Sequence, residues 1–253
     1  MGITVGKSYD LNAAEFFNAT QILTVLQKEA VNTLVTDLKI YNLWDKMKAI
    51  YPFVGQAGVS SSFEVNLKDV NTFRGTFTTT GWTFSNTGAT PDGINAYMNT
   101  GLNANIQLDV NSSHLSYYAR NLNTSAGFNV FMGIGSTTCF MQGSNNNVIN
   151  ARQASSANSS LSDTPVGFLI GNKQNSTTQQ SYKNNLKETL TVTTTLFSTT
   201  LQNIFVGNYN TDGVFGTNSE CAFSSIGDGL TDTESANLYT AVQRFQTTLG
   251  RQV

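Results

Sequence analysis

The side chains able to do acid–base or covalent chemistry in this sequence are few, and their spacing restricts what they could do. A retaining glycosidase needs two carboxyl groups about 5 Å apart, commonly on alternate residues of one strand face. The chain contains one Asp-x-Glu, Asp232-Thr233-Glu234. There Thr231 and Glu234 have the spacing of a helix capping box, which accounts for the carboxylates without catalysis. Glu64 and Asp69 are five residues apart and would lie on opposite faces of an extended segment, while Glu188 and Glu220 stand alone. His114 is the one imidazole. A Ser–His–Asp triad would have to use it, but it follows Ser112-Ser113 at the start of an expected strand, outside any nucleophile elbow. It is expected to be structural, with its ring nitrogens bonded. No phosphate-binding Gly-x-x-x-x-Gly-Lys-Ser/Thr occurs, and Gly133-x-Gly135 is too short a signal. Cys139 and Cys221, far apart in expected strands, read as buried free thiols, and with one histidine they supply too few ligands for zinc. The chain is therefore expected not to be an enzyme.

Sugar recognition asks for different residues: an aromatic ring to stack on, with amides to hold hydroxyl groups. Trp82, and Tyr209 between Asn208 and Asn210, meet that description, as do the loop asparagines 145–147. Packing beneath a loop is the competing role for Trp82.

These residues sit in an unusual composition. Charged residues are 12% of the 253-residue chain, against about 25% in typical proteins. Asn, Ser and Thr fill the gap at roughly a third of the chain. An aromatic content of 11% argues for a packed core rather than disorder. With 14 basic and 16 acidic residues and no block of either sign, the basic face of a nucleic-acid binder is missing. No run approaches the ~18 apolar residues of a membrane span. The N-terminus lacks a secretion signal and places Gly6 where a myristoylation motif wants Ser or Thr, so synthesis in a cytosol is expected.

The elements that must position the candidate residues are read from periodicity. Residues 1–10 look like an extended arm. From Leu11 to about Ile50 the pattern is helical: Ile22, Leu26, Ala30, Leu34 and Leu38 recur every fourth residue. A shorter helix carrying Leu43, Trp44, Met47 and Ile50 is expected to end at Pro52. Beyond Tyr51 short alternating runs separated by Gly, Asn and Asp indicate many strands, among them 62–66, 73–77, 94–98, 114–120, 128–134, 167–170, 190–196, 204–207 and 221–226. That pattern belongs to a sandwich or barrel. Polar stretches 143–150, 154–163 and 174–180 read as loops and contact surfaces. A C-terminal helix over 231–249 follows its capping box, with Gly250 as its stop. The expected organisation is an arm (1–10), a helical leader (11–54) and a β domain (55–253).

Two resemblances sharpen this reading. The segment Gly88-Ala89-Thr90-Pro91-Asp92-Gly93-Ile94-Asn95-Ala96-Tyr97, with Leu115-Ser116-Tyr117-Tyr118-Ala119-Arg120, resembles the concanavalin-A-like, laminin-G-like jelly roll. So does the closing run Ala222-Phe223-Ser224-Ser225-Ile226-Gly227 leading to Leu230-Thr231-Asp232-Thr233-Glu234. The resemblance implies a mainly β jelly-roll sandwich with an N-terminal helical segment and a short C-terminal helix. It also makes calcium a candidate cofactor, with Asp92, Asp109, Asp212 and Asp228 as candidate ligands. The leader, with Leu34-Val35-Thr36-Asp37-Leu38-Lys39, Trp44-Asp45-Lys46-Met47 and Ala49-Ile50-Tyr51-Pro52-Phe53-Val54-Gly55, resembles that of tailed-phage virion proteins, a match continued by Asn66-Leu67-Lys68-Asp69 and Gly81-Trp82. This implies a structural component of a virion (a capsid decoration, head fibre or tail subunit) attached to other virion proteins through residues 1–54 and repeated as a homo-oligomer. The alternative is a lectin-like module for host or environmental glycans, and the third reading is a glycoside hydrolase.

Overall fold

The computed structural model describes residues 8–21, 23–124, 129–136, 138–144, 146–209 and 215–253. Among them the chain is mainly β: two antiparallel sheets face each other as a sandwich, and helices cover the outside of one. The helix-covered sheet runs in the order β13 (Leu186–Thr191), β12 (Thr178–Lys183), β11 (Gly167–Asn175), β6 (Ser113–Ala119), β15 (Cys221–Gly227), β4 (Ala89–Pro91) and β3 (Trp82–Phe84). Strand β1 (Met47–Tyr51) also pairs with β15. The other sheet runs β10 (Ser159–Ser162), β9 (Val148–Gln153), β8 (Cys139–Ser144), β7 (Val130–Gly133), β14 (Asn203–Val206), β5 (Met98–Asn103) and β2 (Thr76–Phe77). A single turn, α3 (Ala104–Gln107), follows β5.

Alternation along the strands divides the apolar side chains into two layers. Between the sheets lie Leu115, Tyr117, Met98, Leu102, Met141, Leu169, Ile204 and Val206, with Tyr117 stacked on Phe131 at 4.8 Å. On the far side of the covered sheet, Tyr118, Phe168, Ile170 and Phe223 meet the helices. Those helices are α1 (Leu11–Thr20), α2 (Val25–Ile40) and α4 (Asp232–Thr248). The buried side of α2 carries Ala30, Val31, Leu34, Val35 and Leu38, and that of α4 carries Leu238, Ala241, Val242 and Phe245. Each of the larger side chains contributes roughly 1.5–3 kcal/mol by leaving water.

Side chains fix the helix ends. Thr24 Oγ1 accepts from the Gln27 amide at 3.2 Å while Gln27 Oε1 accepts from the Thr24 amide at 2.9 Å. Thr231 and Glu234 repeat the arrangement at the start of α4, at 3.2 and 2.8 Å. The C-terminal helix thus begins and ends as its sequence signals indicate, with Gly250 at φ +65°.

Other expectations are corrected. The periodic stretch after Leu11 is broken at Gln21, whose φ of +59° ends α1. The second leader helix does not form. Asn42, at φ +57°, turns the chain out of α2, a short 3₁₀ turn spans Trp44–Lys46, and Met47–Tyr51 become a strand. That strand is buried on both faces, with Ile50 toward the helices and Ala49 and Tyr51 toward the interior. A doubly buried strand reads as an unbroken apolar run, which periodicity does not separate from a helix. Residues 62–66 form turns rather than a strand, and 94–97 form a loop before β5. The polar stretches 143–150, 154–163 and 174–180 contain the β8–β9 hairpin, strand β10 and the β11–β12 hairpin. Their strands escape detection because several inward positions are Gln or Ser: Gln179 and Ser181 are fully buried.

Past Gly250, Arg251 is buried to 1% exposure among backbone carbonyls. Its Nε donates to Gln246 Oε1 at 2.6 Å. Nη1 reaches Phe53 O at 2.8 Å and Thr87 O at 3.3 Å, and Nη2 reaches Pro52 O at 2.8 Å and Ala222 O at 2.7 Å. Burial lowers its pKa to about 9, so it stays charged at neutral pH. One guanidinium thus fastens α4, β15, the segment after β1 and the Ser85–Gly88 turn. Replacing it leaves four carbonyls without that donor. Arg251→Met is expected to lower the unfolding free energy by about 3–5 kcal/mol, with Arg251→Lys between it and the parent. Urea denaturation checks this as a lower midpoint at unchanged slope.

Candidate functional site

With helices over one sheet, the outward face of the open sheet is the broad surface that no described helix covers, although on β7 and β8 it is buried where Val130 and Phe140 pack with Tyr209 and Phe215. Its side chains follow from alternation. On β5, Met98, Thr100 and Leu102 are buried and face inward, which turns Asn99 and Asn103 outward. On β14, Ile204 and Val206 face the interior and Phe205 faces out, where its ring meets Tyr97 edge-on at 5.2 Å. Asn203 Nδ2 donates to Asn99 Oδ1 at 3.1 Å across the strand pair. Toward the other edge, Val130, Phe140 and Tyr209 cluster, and Tyr209 meets Phe215 edge-on at 5.2 Å. Beyond them runs a polar row: Ser160 Oγ donates to Asn150 Oδ1 at 2.5 Å, and Asn150 Nδ2 donates to Gln142 Oε1 at 3.2 Å. Arg152 lies alongside, its guanidinium donating to Ser155 O at 2.7 Å and Ser156 O at 2.9 Å. The face so described holds rings flanked by amides, and none of these outward residues is a carboxylate. Tyr97 and Phe215 are half-buried, whereas Phe140, Phe205 and Tyr209 lie deeper.

The residues expected to bind sugar border one corner of this face. Trp82 is half-buried on edge strand β3, stacked on Phe84 at 6.3 Å and edge-on to Phe77 at 4.9 Å, with Nε1 donating to Tyr97 O at 3.3 Å. A Cβ on Gly207 would come within 2.9 Å of its ring, so glycine lets the end of β14 approach. Trp82 therefore packs between the two sheets. Asn208 is fully buried; its Oδ1 accepts from the Tyr209 amide at 2.7 Å, and its Nδ2 is unpartnered. Tyr209 is 8% exposed, a wall of the aromatic cluster. Asn210 and Asp212 lie outside the described residues, as does Asn145. The residues that sequence reasoning missed are Tyr97, Asn99, Asn203, Phe205, Gln142 and Asn150. Their signal was present as the alternate positions of 97–103 and 203–206, but which set faces outward follows only from knowing what covers each sheet.

The candidate calcium ligands are separated. Asp92 Oδ1 accepts from the amides of Ile94, Asn95 and Ala96 at 2.9–3.1 Å. Asp109 Oδ1 accepts from the Asn111 amide at 2.8 Å. Asp228 pairs with Lys48 at 3.0 Å. Among the described residues no three His, Cys, Asp or Glu side chains gather as a metal site. Asp92, Asp109 and Asp228 thus do not form one ligand set, because each aspartate serves its own turn or ion pair.

The carboxylates and His114 are also engaged. Asp232 accepts from Gln180 at 2.9 Å, Tyr182 at 2.8 Å and Lys187 at 2.6 Å, and Lys187 above all holds its pKa down. Glu234 caps α4 and pairs with Lys46 at 2.7 Å. His114 is fully buried: Nδ1 lies 2.7 Å from Asp228 O and Nε2 3.1 Å from Ser225 Oγ, which is 2.6 Å from Ser116 Oγ. The Ser–His contact is sealed from solvent. Cys139 and Cys221 are buried free thiols, raised far above the ordinary thiol range by burial.

Comparison with known proteins bears on this geometry. No family model matches the chain, and no curated protein matches it. Solved structures do. Domain 4 of AbnA, an extracellular arabinanase of Geobacillus stearothermophilus solved with arabinotriose, aligns with a TM-score of 0.55 at 15% identity, over 76% of this chain and 98% of that one. A Trypanosoma rangeli sialidase aligns with a TM-score of 0.55 at 8% identity, over 84% of this chain and 39% of the sialidase. The likeness is one of fold. It places the chain among β-sandwich domains, the jelly-roll-like architecture its sequence suggests.

Burial also predicts a pH dependence. Desolvation lowers the pKa of His114 from 6.5 to about 4, outweighing its bond to Asp228 O. Between those values the unfolded chain binds a proton that the folded chain does not. Stability is therefore complete above pH 6.5 and falls as pH drops toward 4, by roughly 3 kcal/mol over the window. Thermal melts at stepped pH are expected to show this loss, and His114→Gln to flatten it.

Proposed function

We propose that this chain is a carbohydrate-binding module and that the outward face of the open sheet is its binding surface. The observation carrying this reading is the asymmetry of the sandwich. Helices occupy one outer face, and the other presents Asn99, Asn203 and Asn150 around Tyr97 and Phe215, with Gln142 buried behind Asn150. Amides suit sugar hydroxyls because each both donates and accepts. Aromatic edges and faces suit the apolar C–H surface of a pyranose or furanose ring. Lacking carboxylates, the face fits neutral glycans better than cationic ligands. The arabinotriose complex of the matched arabinanase domain supports a sugar ligand for a sandwich of this kind.

The sequence resemblance to phage virion proteins supports one setting for such a module, display on a particle as a repeated subunit attached through residues 1–54. The apolar faces of α1 and α2 already pack on their own sandwich, so attachment would fall to outer residues such as Leu11, Val25 and Ile40, at 80%, 70% and 67% exposure. Mass spectrometry of purified particles tests this setting separately, and absence of the chain would end it.

A glycan array in calcium and in EDTA tests the binding reading. Binding to a neutral oligosaccharide is expected, and Asn99→Ala or Asn203→Ala is expected to weaken it about tenfold without lowering the melting temperature. An array without hits in both conditions overturns the proposal.

A further inference from the structure

At one end of the sandwich interior three neighbouring polar side chains are buried, each with an atom that lacks a hydrogen-bond partner. On β11, Leu169 faces the interior and Ile170 the helices, so alternation turns Gly171 and Lys173 inward. Lys173 is fully buried, and its Nζ has no hydrogen-bond partner. Ser113, its direct cross-strand neighbour on β6, is likewise fully buried with Oγ unpartnered. The neighbour on its other side, Gln179 of β12, reaches across to the open sheet. Its Oε1 accepts from the Gln153 amide at 2.9 Å and its Nε2 donates to Ala151 O at 2.5 Å. Gln153, also fully buried, directs its unpartnered Nε2 to within 3.4 Å of where a Gly171 Cβ would stand, while Cys139 Sγ donates to its Oε1 at 3.4 Å.

The lysine amine, the serine hydroxyl and the glutamine NH₂ thus lie on adjoining strand positions around Gln179, each without a partner. Burial alone lowers the lysine pKa, and no carboxylate acts on it. An unpaired buried ammonium is costly, and a buried donor left without an acceptor adds to that cost. A water molecule would accept from two of these donors but leave the charge uncompensated. A single small anion answers both needs, and the full burial of all three residues favours a monatomic one.

We propose that Lys173, Ser113 and Gln153 form an internal site for one monatomic anion of the halide class, enclosed between the two sheets. Occupied, the site ties β6 and β11 of the covered sheet to β9 of the open one through a shared partner, at the end where the Ser155–Thr194 bridge also crosses.

Bromide is the probe. Crystals grown in sodium bromide are expected to show an anomalous peak within hydrogen-bond distance of Lys173 Nζ. Melting temperature is expected to rise with sodium bromide or chloride relative to sodium gluconate at equal ionic strength. In Lys173→Met the halide dependence disappears. Should that variant fail to fold, Ser113→Ala keeps the lysine and is expected to raise the half-saturating bromide concentration about fivefold. Water without an anomalous peak at Nζ overturns the proposal, as does a halide response unchanged in both variants. Glycan binding does not enter these readouts, so the two proposals fail independently.

Discussion

The central strands of the covered sheet, β6, β11 and β15, are buried on both faces, and the rest of the architecture answers to that constraint. Its strands carry apolar groups toward the interior (Leu115, Tyr117, Leu169, Ile226) and toward the helices (Tyr118, Phe168, Ile170, Phe223). A sheet with two apolar faces cannot meet water on either. One face is closed by the second sheet and the other needs a separate layer, which α1, α2 and α4 supply from the two ends of the chain. Strand β1 must then cross from the helical layer to the edge of β15, which is why the leader turns at Asn42 and continues as strand. The second sheet faces the opposite demand. Its inward positions make the main core, and apart from the small outward cluster of Val130, Phe140 and Tyr209 its outward positions are free to be Asn, Tyr and Phe.

Joining chain ends so far apart in sequence calls for strong local fastenings. The Arg251 cage, the Lys46–Glu234 pair and the Gln27 bond to Gly55 O at 2.9 Å tie the helices to the sandwich at three places. The cage uses neutral carbonyls rather than a carboxylate, in a chain where charged residues are scarce. Arg120 and Glu220, 2.7 Å apart, stand close by as a separate pair. The polar residues that replace charge in the composition are not confined to the surface. Ser159 and Ser181 bond across the interior at 2.6 Å, and Asn172 joins Gln180 at 2.7 Å and Leu230 O at 2.8 Å. Fully paired, such groups fix strand register in a way that interchangeable aliphatics do not.

That same use of polar residues explains what was legible in the sequence. The strands around Tyr117, Phe205 and Phe223 were readable because apolar residues dominate them, and α4 was readable because capping box, stripe and glycine stop agree. Strands β10 and β12 were hidden because Ser159, Gln179 and Ser181 face the interior while looking like loop residues. The leader was half legible: α2 followed its stripe, but Met47, Ala49, Ile50 and Tyr51 are buried for reasons that lie more than 170 residues away on β15. For the site, residue type pointed to Trp82, Asn208 and Tyr209, which border one corner of the proposed face. Trp82 and Asn208 face other protein groups, and the positions turned outward are ordinary-looking asparagines on alternate residues.

If the open face binds glycans as proposed, its neighbouring amides would make it selective in a particular manner. Asn99 with Asn203, and Asn150 with Gln142, already hydrogen-bond one another, so their side chains are oriented before any ligand arrives. Each pair retains further donors and acceptors. Orientation in advance reduces the entropy lost on binding, while the neutrality of the amides keeps the attraction short-ranged and largely indifferent to salt. Recognition on the proposed face would rest on the geometry of hydroxyl groups rather than on charge. A chain with 12% charged residues has few long-range fields to offer, and hydroxyl geometry is what distinguishes one neutral glycan from another.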